Sequence, residues 1–348
     1  MGGGAVAARA VSDLPATVGS AGATARAPLD AAPFLREIGR GRDGARGLAR
    51  ERAQELMAAI LDGAVSDLAL GAILLALRMK GEEADEIAGF LDALAPRLAR
   101  APARAPAWIV LPSYNGARAQ ANLVPLLALL LARHGLPVLV HGQDSEPPAG
   151  ARQRVTTAQI LELLGIGACA DMVQAGERVL HGQPARVGLA TFAPALSRLL
   201  ALRPVLGVRN VAHTLAKLVC PVTGPALLVS SYTHPAFGRL QAELFGRTGM
   251  HALSLRGTDG EAVASARRTQ AVDHWRDGSC RTVIEARAVA PADSGLPATD
   301  APSTAAWTRA VLSGTRAAPP ALLAQVEAIR AAVGAADPAP GRSGAGRP

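Results

Sequence analysis

Lysine is almost missing from this sequence. Of 36 basic residues only two, Lys80 and Lys217, are lysine, and the rest are arginine. Beside so much alanine, glycine and proline this reflects a compositional bias, so the choice of arginine over lysine carries little information. Cysteine is scarce and scattered. Cys169, Cys220 and Cys280 form no CxxC or Cys/His spacing, which excludes a structural zinc centre and a secreted disulfide scaffold. Three buried free thiols in a reducing compartment are the expectation. Aromatic residues make up only 3% of the chain, so its cores must be aliphatic. No run approaches the roughly 18 uninterrupted apolar residues of a membrane span, and MGGGAVAARAVSDLPATVGS lacks a secretory apolar region. A cytoplasmic protein without membrane partners is expected. GxxxxGK[ST] and GxSxG are also missing, and His141 with Asp144 is too small a set for a hydrolytic triad.

What is present is bulk and positive charge. With 348 residues, 49% of them hydrophobic, the chain can bury a sizeable core and is long enough for two domains. The net charge of +8 favours polyanionic partners over acidic substrates.

Residues 1–29 are Gly/Ala-rich without period and read as a mobile leader; 336–348 read as a disordered tail. Between 30 and 100, four helices alternate with glycine stops. Asp30 and Pro33 open the first, GLARERAQELMAAILDG forms the second, Ser66 or Asp67 caps the third, and EEADEIAGFLDALAP is the fourth. APARAPA is a linker by composition. Beyond it, WIVLP, LPVLVHG, ARVGLATF, ALLVSSY and HALSLRG are short apolar runs separated by helical patterns, the signature of a mostly parallel sheet covered on both faces. Residues 195–221 are too long and too helical for one crossover, and suit helices that pack back onto the N-terminal unit. The α/β domain then comprises 106–194 and 222–335.

These stretches carry a resemblance. LMAAILDGAVSDLALGAILLALRMKGEEADEIAGFLDAL is similar to the N-terminal helical domain of the anthranilate phosphoribosyltransferase and nucleoside phosphorylase superfamily (glycosyltransferase family 3), and LGVRNVAHTLAKLVCP to its LGxRTxxNxLGPLxNP segment. The resemblance spans roughly 34–332. It implies an α/β domain interrupting a helical domain, a cleft between them, and a homodimer through the N-terminal helices. The catalytic motifs depart from the family. Its diphosphate-binding GTGGD is replaced by LPSYNGAR, keeping only Gly116. Its K-H-G-N-R type sequence is replaced by VHGQDS, keeping His141 and Gly142. Its adjacent metal-binding acids become Asp259 and Glu261, split by Gly260. A closer match is the YbiB-type subgroup, which shares PSYNGAR, VHG, LGVRNxAHTLAKL and LRGTxGE and whose membership implies non-specific nucleic-acid binding without transferase activity.

Ser113, Tyr114, Asn115, Gly116 and Arg118, with Gln120, stand at the carboxyl end of a strand, where open α/β sheets bind ligands. They are read either as an Asn-Gly turn with polar filler or as a surface on which Tyr114 stacks a base and Arg118 grips a phosphate. Ser113, Asn115 and Gly116, with His141 and Gly142, form a vestigial donor pocket. Arg209, His213 and Lys217, four residues apart, are placed on one helical face beside the cleft. Lys217 is the leading phosphate contact, Arg203 a second, and His213 either a ligand contact or a structural histidine. Arg46 and Arg50 belong to an N-terminal run in which six arginines, Arg42 among them, outnumber three acids, which supports a basic footprint or merely a wet surface. Arg256 and Thr258 flank a structural turn or a vestigial metal site at Asp259 and Glu261; Arg267 and Arg268 follow in the next loop. The leading expectation is a homodimer, without cofactor, binding DNA or RNA through phosphates. A transferase or phosphorylase with an altered donor loop is the alternative, and a small-molecule sensor a third.

Overall fold

The computed structural model describes residues 28–41, 43–104, 107–143, 154–287 and 295–334. Most of the leader, the tail, Arg42 and Asp144 therefore lie outside the described residues.

Helices α1 (Ala32–Ile38), α2 (Arg50–Leu61), α3 (Asp67–Lys80) and α4 (Ala84–Leu94) form the N-terminal unit. Their boundaries follow the local chemistry. Ser66 Oγ accepts the Ala69 amide at the start of α3, and Gly81 ends that helix at a positive φ. Glu83 and Glu86 cap α4 reciprocally. The Glu86 carboxylate is wholly buried, and it accepts from the Leu48 and Glu83 amides and from Lys80 Nζ at 2.8 Å. Lys80 itself is nearly buried, so the pair ties the turn before α4 to the chain entering α2.

A seven-stranded sheet follows, in the order β3-β2-β1-β4-β5-β6-β7. Strands β1 (Trp108–Ser113), β2 (Val138–Gly142), β3 (Ala185–Gly188), β4 (Ala226–Tyr232) and β5 (Ala252–Arg256) are parallel. This is the expected α/β architecture with a helical unit. β3 is shorter than its apolar run: after Gly188 the backbone turns into helix α8 (Leu189–Phe192), so only half of ARVGLATF is strand. Strands β6 (Val272–Arg276) and β7 (Ser279–Ile284) add an antiparallel hairpin that the strand pattern did not reveal. Its turn places Asp277 and Gly278 at φ of 50° and 79°, the geometry an Asp-Gly pair favours between twisted strands. β7 is the sheet's edge, so Cys280 is exposed rather than buried; Cys169 is buried and Cys220 half-buried.

Alternation along β1 divides the interior. Trp108 and Val110 face a core shared with the N-terminal helices; Ile109 and Leu111 face a second core. The second core is built on α5 (Val124–Arg133), α13 (Ala301–Leu312) and α14 (Pro320–Gly334). Helices α9 (Pro194–Ala201) and α11 (Ala212–Leu215), with α10 (Arg203–Leu206) between them, return to the first core through Leu196, Leu199 and Leu215. Helices α7 (Met172–Leu180) and α12 (Pro235–Thr248) also join that core, through Met172 and Leu244. The two chain crossings between sheet and helices run side by side, with Ala101 N donating to Pro221 O and Thr223 N to Ala101 O. The carboxyl ends of the strands thus open onto the returning helices.

Truncating Lys80 to Ala leaves the Glu86 carboxylate buried and unpaired. The expected loss is about 3 kcal/mol or more in urea unfolding, against less than about 1 kcal/mol for Arg247→Ala, whose pairs with Asp85 and Glu243 are solvated.

Candidate anion-binding cleft

The loop after β1 is held by carboxylates of the chain itself. Glu261 Oε1 accepts the amides of Asn115 at 2.7 Å and Gly116 at 2.6 Å, and its Oε2 accepts the Ser113 hydroxyl at 2.5 Å. Asp259 Oδ2 accepts the next amides, those of Arg118 at 3.1 Å and Ala119 at 2.9 Å. Consecutive N–H groups pointing at anionic oxygen make an anion-binding concavity. Here the anions are internal, and Glu261 is only 1% exposed.

The sequence explains how one short segment reaches both amide pairs. Thr258 pairs with Glu261 across a tight turn, with Asp259 at φ 53° and Gly260 at φ 87°. A side chain at 260 would be strained at that angle and would overlap the Asn115 amide. Free of Cβ, the Gly260 carbonyl collects three donors: Asn115 Nδ2 at 2.9 Å, Lys217 Nζ at 2.9 Å and Ser231 Oγ at 3.0 Å. The turn aims the two carboxylates at different amides. They do not converge on a common point, and among the described residues no group of three or more His, Cys, Asp or Glu is placed to hold a metal. The arrangement does not fit the paired-acid magnesium site that the family resemblance implies.

Beside this closed loop lies a cavity of about 640 Å³ between the strand ends and the returning helices. Arg118, Arg154, Arg203, Arg209 and Lys217 line it, and its described lining contains no Asp or Glu. None of these five makes an ion pair with a described carboxylate. Burial holds the Arg209 guanidinium below its ordinary range, and its cationic neighbours Arg203, Arg154 and Arg78 push the same way. Lys217 is lowered to about 8, first by burial and then by Arg209 and Arg154, against the pull of Glu261. Burial lowers His213 to about 4, with Arg209 adding to the effect; its ring lies against Asn210, at the start of α11. His141 is fully buried and lowered to about 3, chiefly by desolvation. Both imidazoles are therefore neutral at pH 7. Tyr114 is half-buried, its hydroxyl 2.8 Å from His141 Nδ1 and its ring edge-on to that imidazole.

Several expected residues thus meet in one place. Ser113, Tyr114, Asn115, Gly116 and Arg118 line the cavity from the loop side, and His141 and Gly142 from the end of β2. Arg203, Arg209, His213 and Lys217 line it from the opposite side. They do so without forming one helical face: only Ala212–Leu215 is helical, because Asn210 bonds the Ala212 amide and starts the helix after Arg209. Arg46 and Arg50 are not part of the lining. Arg50 is engaged by Asp92 through two bonds of 2.6 and 3.0 Å, and Arg52 by Glu37, so part of the N-terminal basic run is neutralised locally. Gln120, Arg256, Arg267 and Arg268 also lie outside the lining.

The sequence reading missed Arg154, Thr156, Thr157 and Arg186. Arg154 Nη1 donates to the Gly116 carbonyl at 3.0 Å, beside the antiparallel bridge between Ala117 and Val155. No local pattern signals that pairing. Thr156 and Gln159 cap helix α6 (Thr157–Leu163) reciprocally, and the TTAQ sequence did carry that signal.

Residues 32–96 match the family described as "Glycosyl transferase family, helical bundle domain". The chain is 40% identical to the Escherichia coli (strain K12) "Uncharacterized protein YbiB" over 311 residues, covering 88% of this chain and 96% of that one. It is 30% identical to an anthranilate phosphoribosyltransferase of Novosphingobium aromaticivorans over 276 residues, covering 77% and 81%. Among solved structures, the Thermus thermophilus anthranilate phosphoribosyltransferase superposes with a TM-score of 0.62 at 26% identity, covering 83% and 85%. The Saccharomyces cerevisiae enzyme in complex with PRPP and Mg superposes with 0.64 at 15% identity, covering 88% of each chain, a likeness of fold alone. The chain belongs to the anthranilate phosphoribosyltransferase-like superfamily of glycosyltransferase family 3, and YbiB is its homologue.

Proposed function

We propose that this protein binds nucleic acid, DNA or RNA, through backbone phosphates in the cationic cavity, and that it does not transfer phosphoribosyl groups. The observation that carries this reading is the pairing of two features. The loop amides that would grip a diphosphate already hold Glu261 and Asp259, while five cationic side chains beside them lack carboxylate partners among the described residues. A phosphoribosyl-transfer reading draws on the names of its relatives. It requires a diphosphate and magnesium where the chain's own carboxylates stand. A fold of this kind hosts more than one function, so the site decides.

With five cations in the lining, affinity should be electrostatic and weakly dependent on sequence. Released counterions make log K fall linearly with log salt, by roughly 0.9 per duplex phosphate contacted or 0.7 per single-strand phosphate. Fluorescence anisotropy across a salt series should give a slope of several units. Arg209→Ala should weaken binding to all sequences alike and reduce the slope by about one contact. Salt-independent binding, or a strong sequence preference, contradicts the reading.

Lys217 adds a pH dependence. Its value of about 8 lies below the ordinary lysine value of 10.5, so in the free protein the ammonium is lost first as pH rises. A bound phosphate favours the ammonium, and binding then takes up a proton above pH 8. Affinity should be flat from pH 6.5 to 7.5 and fall as pH rises through 8 and beyond. Lys217→Gln should remove that fall; a parent protein whose affinity is unchanged up to pH 9.5 excludes the contact.

We also propose that two copies associate through α3. Leu68, Leu75 and Met79, with Ala72, recur at four- and three-residue spacing on that helix, and Leu68 and Met79 are 87% and 79% exposed. A second copy presenting the same stripe would cover it symmetrically. Sedimentation velocity should find a dimer that Leu75→Glu converts to monomer.

A further inference from the structure

The same two carboxylates bear on which phosphates the cavity takes. We propose that Glu261 and Asp259 are built-in anions that set the ligand class: the site accepts phosphodiester backbone and rejects compact multiply charged phosphates such as diphosphates. This inference rests on the polyanion reading above.

A diphosphate concentrates several negative charges in a small volume and needs many donors aimed at one point. In this fold those donors would be the consecutive amides of residues 115–119. Four of them already hold carboxylate oxygens, at 2.6 to 3.1 Å. An entering diphosphate would have to break charge-assisted hydrogen bonds, among the strongest a protein makes, and would sit against two fixed negative charges. Internal phosphodiesters carry one charge each and are spread along a strand. Separate side-chain cations such as Arg118, Arg203 and Arg209 match that pattern without using the amides.

The carboxylates are fixed in place and do not form a lid. Three donors meet on the Gly260 carbonyl, from Asn115, Lys217 and Ser231. Arg154 clasps the other side of the loop through the Gly116 carbonyl, and Glu261 holds the Ser113 hydroxyl as well as its two amides. Swinging Glu261 out would orphan the Ser113 hydroxyl and the Asn115 and Gly116 amides at once, at a cost far above thermal energy. Asp259 bonds the more exposed amides of Arg118 and Ala119 and is held by the turn it belongs to. Selectivity is therefore a standing property of the folded site.

The test is a competition assay with the full chain. A fluorescent single-stranded oligonucleotide without terminal phosphates is bound at fixed salt and displaced with inorganic pyrophosphate, with and without magnesium. Potassium sulfate at matched ionic strength is the control. Pyrophosphate should displace the strand from the parent protein no better than sulfate does. In Glu261→Gln, pyrophosphate affinity should rise about tenfold or more, the worth of one or two charge-assisted bonds, while oligonucleotide affinity rises by less than about threefold. Asp259→Asn should shift the ratio the same way. It keeps the left-handed conformation that Asn tolerates, and it serves if Glu261→Gln fails to fold. A parent protein that binds pyrophosphate as tightly as either variant overturns the proposal. If the oligonucleotide does not bind the parent at all, the polyanion reading falls. Calorimetric titration of parent and variants with pyrophosphate then still decides the role of the acids.

Discussion

A buried carboxylate on the wrong partner organises this site. Glu261 sits 1% exposed among two amides and a hydroxyl, with no cation within ion-pair distance among the described residues. Those three donors satisfy its buried oxygens, which would otherwise be costly to hold away from water. Fixing it fixes the loop after β1, the Asp259–Gly260 turn and, through the Gly260 carbonyl, the Lys217 ammonium. Arg118, Arg154, Arg203, Arg209 and Lys217 make no ion pair with a described carboxylate, although Glu261 still favours the Lys217 ammonium from a distance. The depressed values of Lys217 and Arg209 follow from that arrangement, with burial as the larger cause and like charges as the smaller.

Rarity alone does not mark a lysine as a ligand contact, as Lys80 shows. Lys80 and Lys217 both donate to backbone carbonyls, of Gly81 at 2.7 Å and Gly260 at 2.9 Å. Lys80 also pairs with the buried Glu86 carboxylate, and Lys217 makes no such ion pair among the described residues. Rarity therefore does not separate the two. What separates them is location: Lys80 is closed inside the helical unit, whereas Lys217 lines the cavity.

Most of the architecture was legible because it obeys local rules. Glycine stops, the Ser66 cap and the Glu83 and Glu86 acids delimit the N-terminal helices, and apolar runs buried on both faces mark the parallel strands. The hairpin of β6 and β7 went unread although Asp277-Gly278 carries a turn signal, because its partly exposed strands lack an apolar run. The cavity was half legible. Loop residues could be assigned to a strand's carboxyl end, and Arg203, Arg209, His213 and Lys217 to a cleft by the family resemblance, yet Arg154 enters through a pairing between distant segments. Arg50 is withdrawn by Asp92, 42 residues away. Spacing alone cannot report such long-range partners. Nor could it show that splitting the acids with Gly260 redirects both onto the loop amides.

The most direct measurement is amide hydrogen exchange at Asn115 and Gly116, read residue by residue in the parent protein and in Glu261→Ala. The account predicts strong protection of both amides in the parent and its selective loss in the variant, while β1 and β4 stay protected. Fast exchange at these amides in the parent, or equal protection in the variant, would contradict it.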